Sequence, residues 1–178
     1  MPVAEPDEHD AVDGILAQWA RERPELDTGP MSVIGRLHRV AGLLEAGLRP
    51  VFAEVGLGNG DFDVLATLRR AGAPFRLTAG ELSASTLVTS GAVSKRIDRL
   101  ESRGLVKRSV SASDARGREI QLTAKGRRLT DEVVVRHWAN EARLLAALDA
   151  AERTQLAVLL RKLLLDVEGP AAGPAEAQ

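Results

Sequence analysis

The chain has 178 residues, 44% of them hydrophobic and 28% charged, enough to bury one core with extensions that need a partner. It has no cysteine and no apolar run of about 18 residues, which excludes disulfides, thiol redox sensing, thiolate metal sites and a membrane span. The net charge of −1 hides a segregation: residues 95–128 hold eleven Lys or Arg and four acids, a balance of +7, whereas residues 1–31 hold two Arg and eight acids, a balance of −6.

The acidic start, MPVAEPDEHDAVDG, lacks the basic-then-apolar layout of a signal peptide, so a reducing cytoplasm is the expected compartment. Val12, Ile15, Leu16 and Trp19 recur at helical spacing and predict a helix over 8–23. The run ERPELDTGP breaks it. A longer helix is predicted over 31–55 from Ile34, Leu37, Val40, Leu44, Leu48 and Phe52, with Pro50 kinking or ending its last turn. GLGNG is a turn, residues 62–70 read as the next helix, and AGAPF is a second break.

Residues 77–122 then read as helix, tight turn, second helix and short β-hairpin. Residues 124–148 form a long amphipathic helix, and a final helix runs through Leu156, Leu159, Leu160 and Leu164. The tail GPAAGPAEAQ is of low complexity and is expected to be disordered. The predicted fold class is mainly α with a small β-hairpin wing, that is, a winged helix-turn-helix. Its expected organisation is an acidic arm with an extra helix (1–30), a scaffold helix (31–60), a DNA-binding lobe (61–123), C-terminal dimerisation helices (124–168) and the tail (169–178). The stripe of Leu144, Leu145, Leu148, Leu156, Leu159 and Leu163 suits packing on a second copy or back onto the chain itself. A homodimer suits paired recognition helices, because a palindromic duplex has a two-fold axis.

The order of elements in 77–128 describes a device that lays one helix in a DNA groove and a hairpin beside it. Phosphate binding needs a local positive surface rather than a basic chain, and this segment supplies one. Thr89 or Ser90 is placed to cap the second helix. Along it Val93, Ile97 and Leu100 face inward at i, i+4, i+7. The opposite face holds Gly91, Lys95, Asp98, Arg99 and Ser102, with Ala92 beside them. Small residues at the helix start allow close approach to the groove floor. Lys95 and Arg99 are placed to reach guanine edges or phosphates, and Ser90 and Ser94 to bond phosphate. By periodicity alone they read equally as a solvated face.

The hairpin favours DNA. Residues 105–110 and 118–122 alternate as strands do, and SASDARG joins them. Arg116 at such a tip suits the minor groove, Asp114 can hold its guanidinium, and Arg108 and Arg118 make the wing basic.

The run GELSASTLVTSGAVSKRIDRLESRGLVKR, followed by an Asp-x-Arg wing and LTAKG, resembles the multiple-antibiotic-resistance repressor (MarR) family over residues 31–165. The resemblance implies a homodimer that binds double-stranded operator DNA, represses nearby genes and is released by a small ligand. It resembles in particular the urate-responsive branch, which adds an N-terminal helix carrying a tryptophan. That branch's pocket set is a tryptophan, an aspartate and an arginine seven residues apart on one helix, and an arginine in the recognition helix. The matching positions here are Trp19, Asp63, Arg70 and Arg96. The resemblance therefore implies an anionic effector, urate or a tricarboxylate of the aconitate or citrate type.

The residues themselves leave this open. Asp63 and Arg70 share a helix face about 10 Å apart, with Ala66 and Thr67 small enough to leave a recess. Phe62, Leu65 and Leu68 hold the opposite side, so periodicity alone leaves the pair solvated. Trp19 reads equally as a docking residue. Arg96 falls about 65° from the centre of the inward face, a shoulder from which it can touch a ligand behind the helix.

His9, His38 and His137 have no metal-ligand spacing, and no glycine-rich phosphate loop occurs, so an enzyme and a cofactor are not expected. His38 and His137 read as helix-surface or interface residues. A protein-interaction module would lack the basic wing. A family member sensing phenolic or lipophilic compounds is the alternative, and it would need a more apolar pocket than Asp63, Arg70 and Arg96 suggest.

Overall fold

The computed structural model describes residues 9–86, 93–110 and 118–169. Its elements in chain order are α1 (Ala11–Glu22), α2 (Gly29–Ala53), α3 (Asn59–Arg70), β1 (Arg76–Thr78), α4 (Ala79–Ser85), α5 (Val93–Ser102), β2 (Val106–Val110), β3 (Arg118–Leu122), α6 (Ala124–Leu144) and α7 (Ala150–Glu168).

Each helix start has a local cause. Asp10 accepts from Val12 N at 2.7 Å and Asp13 N at 3.1 Å, and Asp13 returns the favour to Asp10 N at 2.9 Å, which closes a capping box on α1. Asp149 and Glu152 do the same for α7. Pro30 at the start of α2 loses nothing by lacking an N–H there. Pro50 does cost the helix a hydrogen bond, and α2 ends three residues later at Ala53.

Two features differ from the sequence expectation. The break before the helix-turn-helix ends in a third strand, β1, so the sheet has the antiparallel order β1-β3-β2, with Leu77 opposite Ile120 and Arg108 opposite Ile120 on its other side. Helix α6 stops at Leu144 rather than near 148, because Asp149 begins a new helix and the residues between form a turn.

The core joins the scaffold to the lobe. One buried cluster joins Phe52 of α2, Phe62, Leu65 and Leu68 of α3, Leu82 of α4, Val93, Ile97 and Leu100 of α5, and Val133 of α6. The inward stripes expected for α3 and α5 are thus the buried ones. A fully buried leucine such as Leu65 or Leu100 contributes about 1.5–3 kcal/mol by leaving water. Helix α1 is tied down separately: Val12 is buried, and Arg36 of α2 donates to Asp10 at 2.8 Å and to Asp13 at 2.6 Å. Helix α7 buries no residue, leaving Leu159, Leu160 and Leu163 exposed. Among the described residues no helix is long and apolar enough to cross a membrane.

Candidate nucleic-acid interface and adjoining cavity

The helix-turn-helix begins at Thr78, whose Oγ1 accepts from Glu81 N at 3.2 Å while Glu81 accepts from Thr78 N at 2.8 Å. That backbone bond, with the Thr78 hydroxyl second, holds the Glu81 carboxyl below its ordinary range. Leu82 buries α4 against α3, and α4 ends at Ser85. On α5, Ser94 and Lys95 are exposed. Ser90, Gly91 and Ala92 lie outside the described residues, as does the residue that caps α5.

Arg99 is committed elsewhere. Its Nη2 donates to Asp61 Oδ1 at 2.5 Å and its Nε to Asp61 Oδ2 at 3.1 Å. Asp61 is 3% exposed, and its Oδ2 also accepts from Gly58 N at 3.0 Å, capping α3. The pairing with Asp61 raises the Arg99 guanidinium above the ordinary arginine value. Asp61 precedes the helix expected over 62–70, and its arginine partner is 38 residues away, so no local pattern announces the pair.

The wing strands behave similarly. Arg108, read from sequence as a basic wing residue, turns back onto α5: its guanidinium pairs with Asp98 and Glu101, and its N–H donates to Glu101 Oε1 at 2.9 Å. Asp98, first, and then Glu101 hold its charge above the ordinary arginine value. Arg118 is exposed at the start of β3. Asp114 and Arg116 lie outside the described residues.

A cavity of about 580 Å³ opens between α2, α3 and α6. Leu48, Phe52, Phe62, Ala66, Val134 and Trp138 form its apolar walls, while Asp63, Arg69, Arg70, Asp131, His137 and Glu141, with Asn59 and Thr130, supply its polar groups. Arg69 is held by Asp131 at 2.6 Å. Arg70 reaches from the same wall to the Ser85 carbonyl at the end of α4. Of the four residues of the expected pocket, Asp63 and Arg70 line this cavity. Trp19, 45% exposed on α1, and Arg96 do not. Arg96 lies instead across the first turn of α3, where a Cβ at Gly60 would overlap its guanidinium, and its Nη1 is buried without a hydrogen-bond partner.

His137 corrects the surface reading. Its ring lies 5.2 Å from Phe52 and 5.1 Å from Phe62, and its Nε2 is 3.1 Å from Glu141. The signal was present: His137 follows the fully buried Val133 by four residues and so shares its face. Trp138, 64% exposed at the cavity, was also missed, because its i−3 and i−4 neighbours, exposed Val135 and half-buried Val134, give no clear face.

Residues 55–117 match the profile of the MarR family. The chain is 39% identical over 152 residues to the HTH-type transcriptional regulator PecS of Dickeya dadantii, covering 85% of this chain and 92% of that one. Its fold is similar to that of an E. coli MarR mutant complexed with operator DNA, with a TM-score of 0.66, 28% identity and coverage of 77% and 97% of the two chains. It is likewise similar to Bordetella bronchiseptica BpsR, whose DNA binding is regulated by 6-hydroxynicotinic acid, with a TM-score of 0.66, 27% identity and coverage of 74% and 98%.

Proposed function

Since the chain belongs to the MarR family of transcriptional regulators, we propose that it is a homodimeric repressor released from a palindromic operator by a small anionic metabolite. The family and the relatives described above are regulators, and this chain is one as well, not an enzyme. The observation that carries the effector reading is the double engagement of Arg70, which lines the cavity and holds the Ser85 carbonyl at the end of α4. An anion in the cavity competes for that guanidinium. Drawing it away from Ser85 frees the end of α4, the helix that precedes the recognition helix in the chain. Arg96, with a buried unpartnered nitrogen one turn from Asp63, is the second cation that an anion near α3 would recruit. Asp63 orients an arginine or accepts a ligand N–H. The effector need only prefer the DNA-incompetent form by a few kcal/mol to derepress.

Urate and a tricarboxylate both suit two arginines. The aromatic walls, Phe52, Phe62 and Trp138, favour the planar anion. They also support a second reading, in which a phenolic or lipophilic acid is the effector, and BpsR's response to an aromatic acid is consistent with it. The family resemblance offers Trp19 as the plate that closes over the ligand, whereas Trp138 is the tryptophan that lines the cavity and is the better placed to stack on an effector there.

Dimerisation is supported by α7, whose leucines are uncovered in the single chain, and by the apolar groove that Leu37 of α2 forms with Ala157, Leu160 and Leu164. DNA contact would fall to Ser94 and Lys95 on the recognition helix and Arg118 on the wing, together with Ser90, Gly91, Ala92, Asp114 and Arg116.

The test is release of a duplex selected by the protein from a random-sequence pool. Urate and citrate are titrated separately into the complex, with wild type and Arg70→Ala. Release by one of them, blunted in Arg70→Ala, is expected. No release by either would overturn the anion reading, and release by salicylate alone would favour the phenolic one.

A further inference from the structure

Three arginines on one shoulder of α5 and the turn after it all reach the same short segment. Arg96, Arg99 and Arg103 are spaced i, i+3, i+7, so they form a single stripe. Arg96 lies over Gly60. Arg99 forks onto Asp61. Arg103 donates to the Gly56 carbonyl at 2.6 Å and to the Val55 carbonyl at 2.8 Å. Residues 55–61 are the connection between α2, the long scaffold helix, and α3.

We propose that Arg99 and Arg103, with Asp61, form a strut that sets the tilt of the recognition helix against the scaffold, and that Arg99 acts on DNA only through this strut. The inference rests on the reading that α5 is the DNA-contacting helix. For Arg99 to reach a base or a phosphate with its full fork, it would leave the Asp61 carboxylate buried and uncompensated, which is among the costliest single changes in a protein interior. A carbonyl pair at the end of α2 likewise needs donors, and Arg103 supplies them. The bonding nitrogens of Arg99 and Arg103 are turned toward the scaffold, although the Arg99 side chain is 53% exposed, while Ser94 and Lys95 are also exposed on this helix. Arg99 and Asp61 are therefore positioning residues, and a change in the α2–α3 connection is transmitted to α5 without any ligand touching it.

The experiment measures affinity of the full-length protein for the selected duplex and for a random duplex across a salt series. Arg99→Gln, Arg99→Lys, Arg103→Gln, Asp61→Asn and the Asp61→Asn/Arg99→Gln double variant are compared with Lys95→Gln. Expected are a tenfold or greater loss for the selected duplex in Arg99→Gln and Asp61→Asn, a double variant no worse than either, and unchanged binding of the random duplex. Arg99→Lys should lose as much as Arg99→Gln, because an ammonium cannot reproduce the two-point fork. The log–log salt slope should match wild type in all of these, while Lys95→Gln lowers it by about 0.9 for each copy that loses a phosphate contact.

A slope reduced in Arg99→Gln, affinity retained in Arg99→Lys, additive losses in the double variant, or relaxed preference at one base position on reselection would each overturn the strut. Should Asp61→Asn fail to fold, Arg103→Gln decides: it must weaken the selected duplex without altering the slope. If wild type selects no duplex at all, the DNA-binding reading fails first, and the two failures are distinguishable.

Discussion

The carbonyl oxygen of Leu105 occupies the space that a Cβ at Gly126 would fill, so the first turn of α6 rests directly on the backbone entering β2. The same carbonyl accepts from Thr123 N at 3.1 Å, and Thr123 Oγ1 caps α6 by accepting from Gly126 N at 3.0 Å. This is the physical content of the LTAKG run: the threonine starts the helix and the glycine lets it lie against the sheet. Because the obstacle is backbone and cannot swing aside, Gly126→Ala is expected to cost about 1–3 kcal/mol, as overpacking does. Thermal melting followed by circular dichroism should fall by several degrees. An unchanged melting temperature would mean that the sheet and α6 are free to separate.

Ala66 lies on the cavity wall, between Asp63 and Arg70. Ala66→Phe should fill part of the space and abolish release by effector while leaving affinity for the selected duplex near wild type. Operator release measured by fluorescence anisotropy decides this. A full response in the variant would place the effector elsewhere.

The chain has two tryptophans, Trp19 on α1 and Trp138 at the cavity. Effector binding is expected to quench emission from Trp138, so Trp138→Phe should lose most of the signal and Trp19→Phe little. The reverse pattern would assign the stacking role to Trp19.

Docking of α1 has a defined pH dependence. The side-chain hydrogen bond from Arg36, and then the Asp10 backbone, hold the Asp13 carboxyl below the ordinary value of 3.8. A lowered carboxylate stabilises above its unfolded value and ceases to do so as pH falls through the lowered one. In a Trp138→Phe background, Trp19 emission should therefore be flat from neutrality to about pH 4 and change below it. Arg36→Met should loosen α1 at neutral pH and remove that acid step. A step that survives the substitution would have another origin.

Leu160, 39% exposed in the single chain, sits centrally in the apolar face of α7. Leu160→Glu puts a carboxylate into that face, which costs several kcal/mol where the face is buried against a second copy. Sedimentation should show a monomer, with loss of binding to the palindromic duplex but retention of helical content. A dimer of unchanged strength would move the interface away from α7.

Much of this fold is legible in the chain because helices announce themselves over short distances. The stripes of Val93, Ile97 and Leu100, and of Phe62, Leu65 and Leu68, repeat at the helical period, and burial follows the repeat. The Thr78–Glu81 and Asp149–Glu152 boxes are four-residue patterns with a local cause. Strand β1 is different: three residues become a strand only by pairing with Glu119, Ile120 and Gln121, more than forty positions away.

The polar side chains divide in the same way. That 95–128 is rich in arginine, and that Asp63 and Arg70 share a face, belongs to the chain as written. Which arginines are spent internally does not. Arg99 finds Asp61 only through the packing of α3 on α5, and Arg108, on wing strand β2, meets Asp98 and Glu101 only in the fold. His137 looked like surface until Phe52 and Phe62 closed on its ring. Backbone periodicity is a short-range property, and so the sequence by itself determined the helices and the buried faces of α3 and α5. The partner of a long charged side chain is a long-range one, and only the tertiary structure decided which cations are held within the fold and which are turned outward.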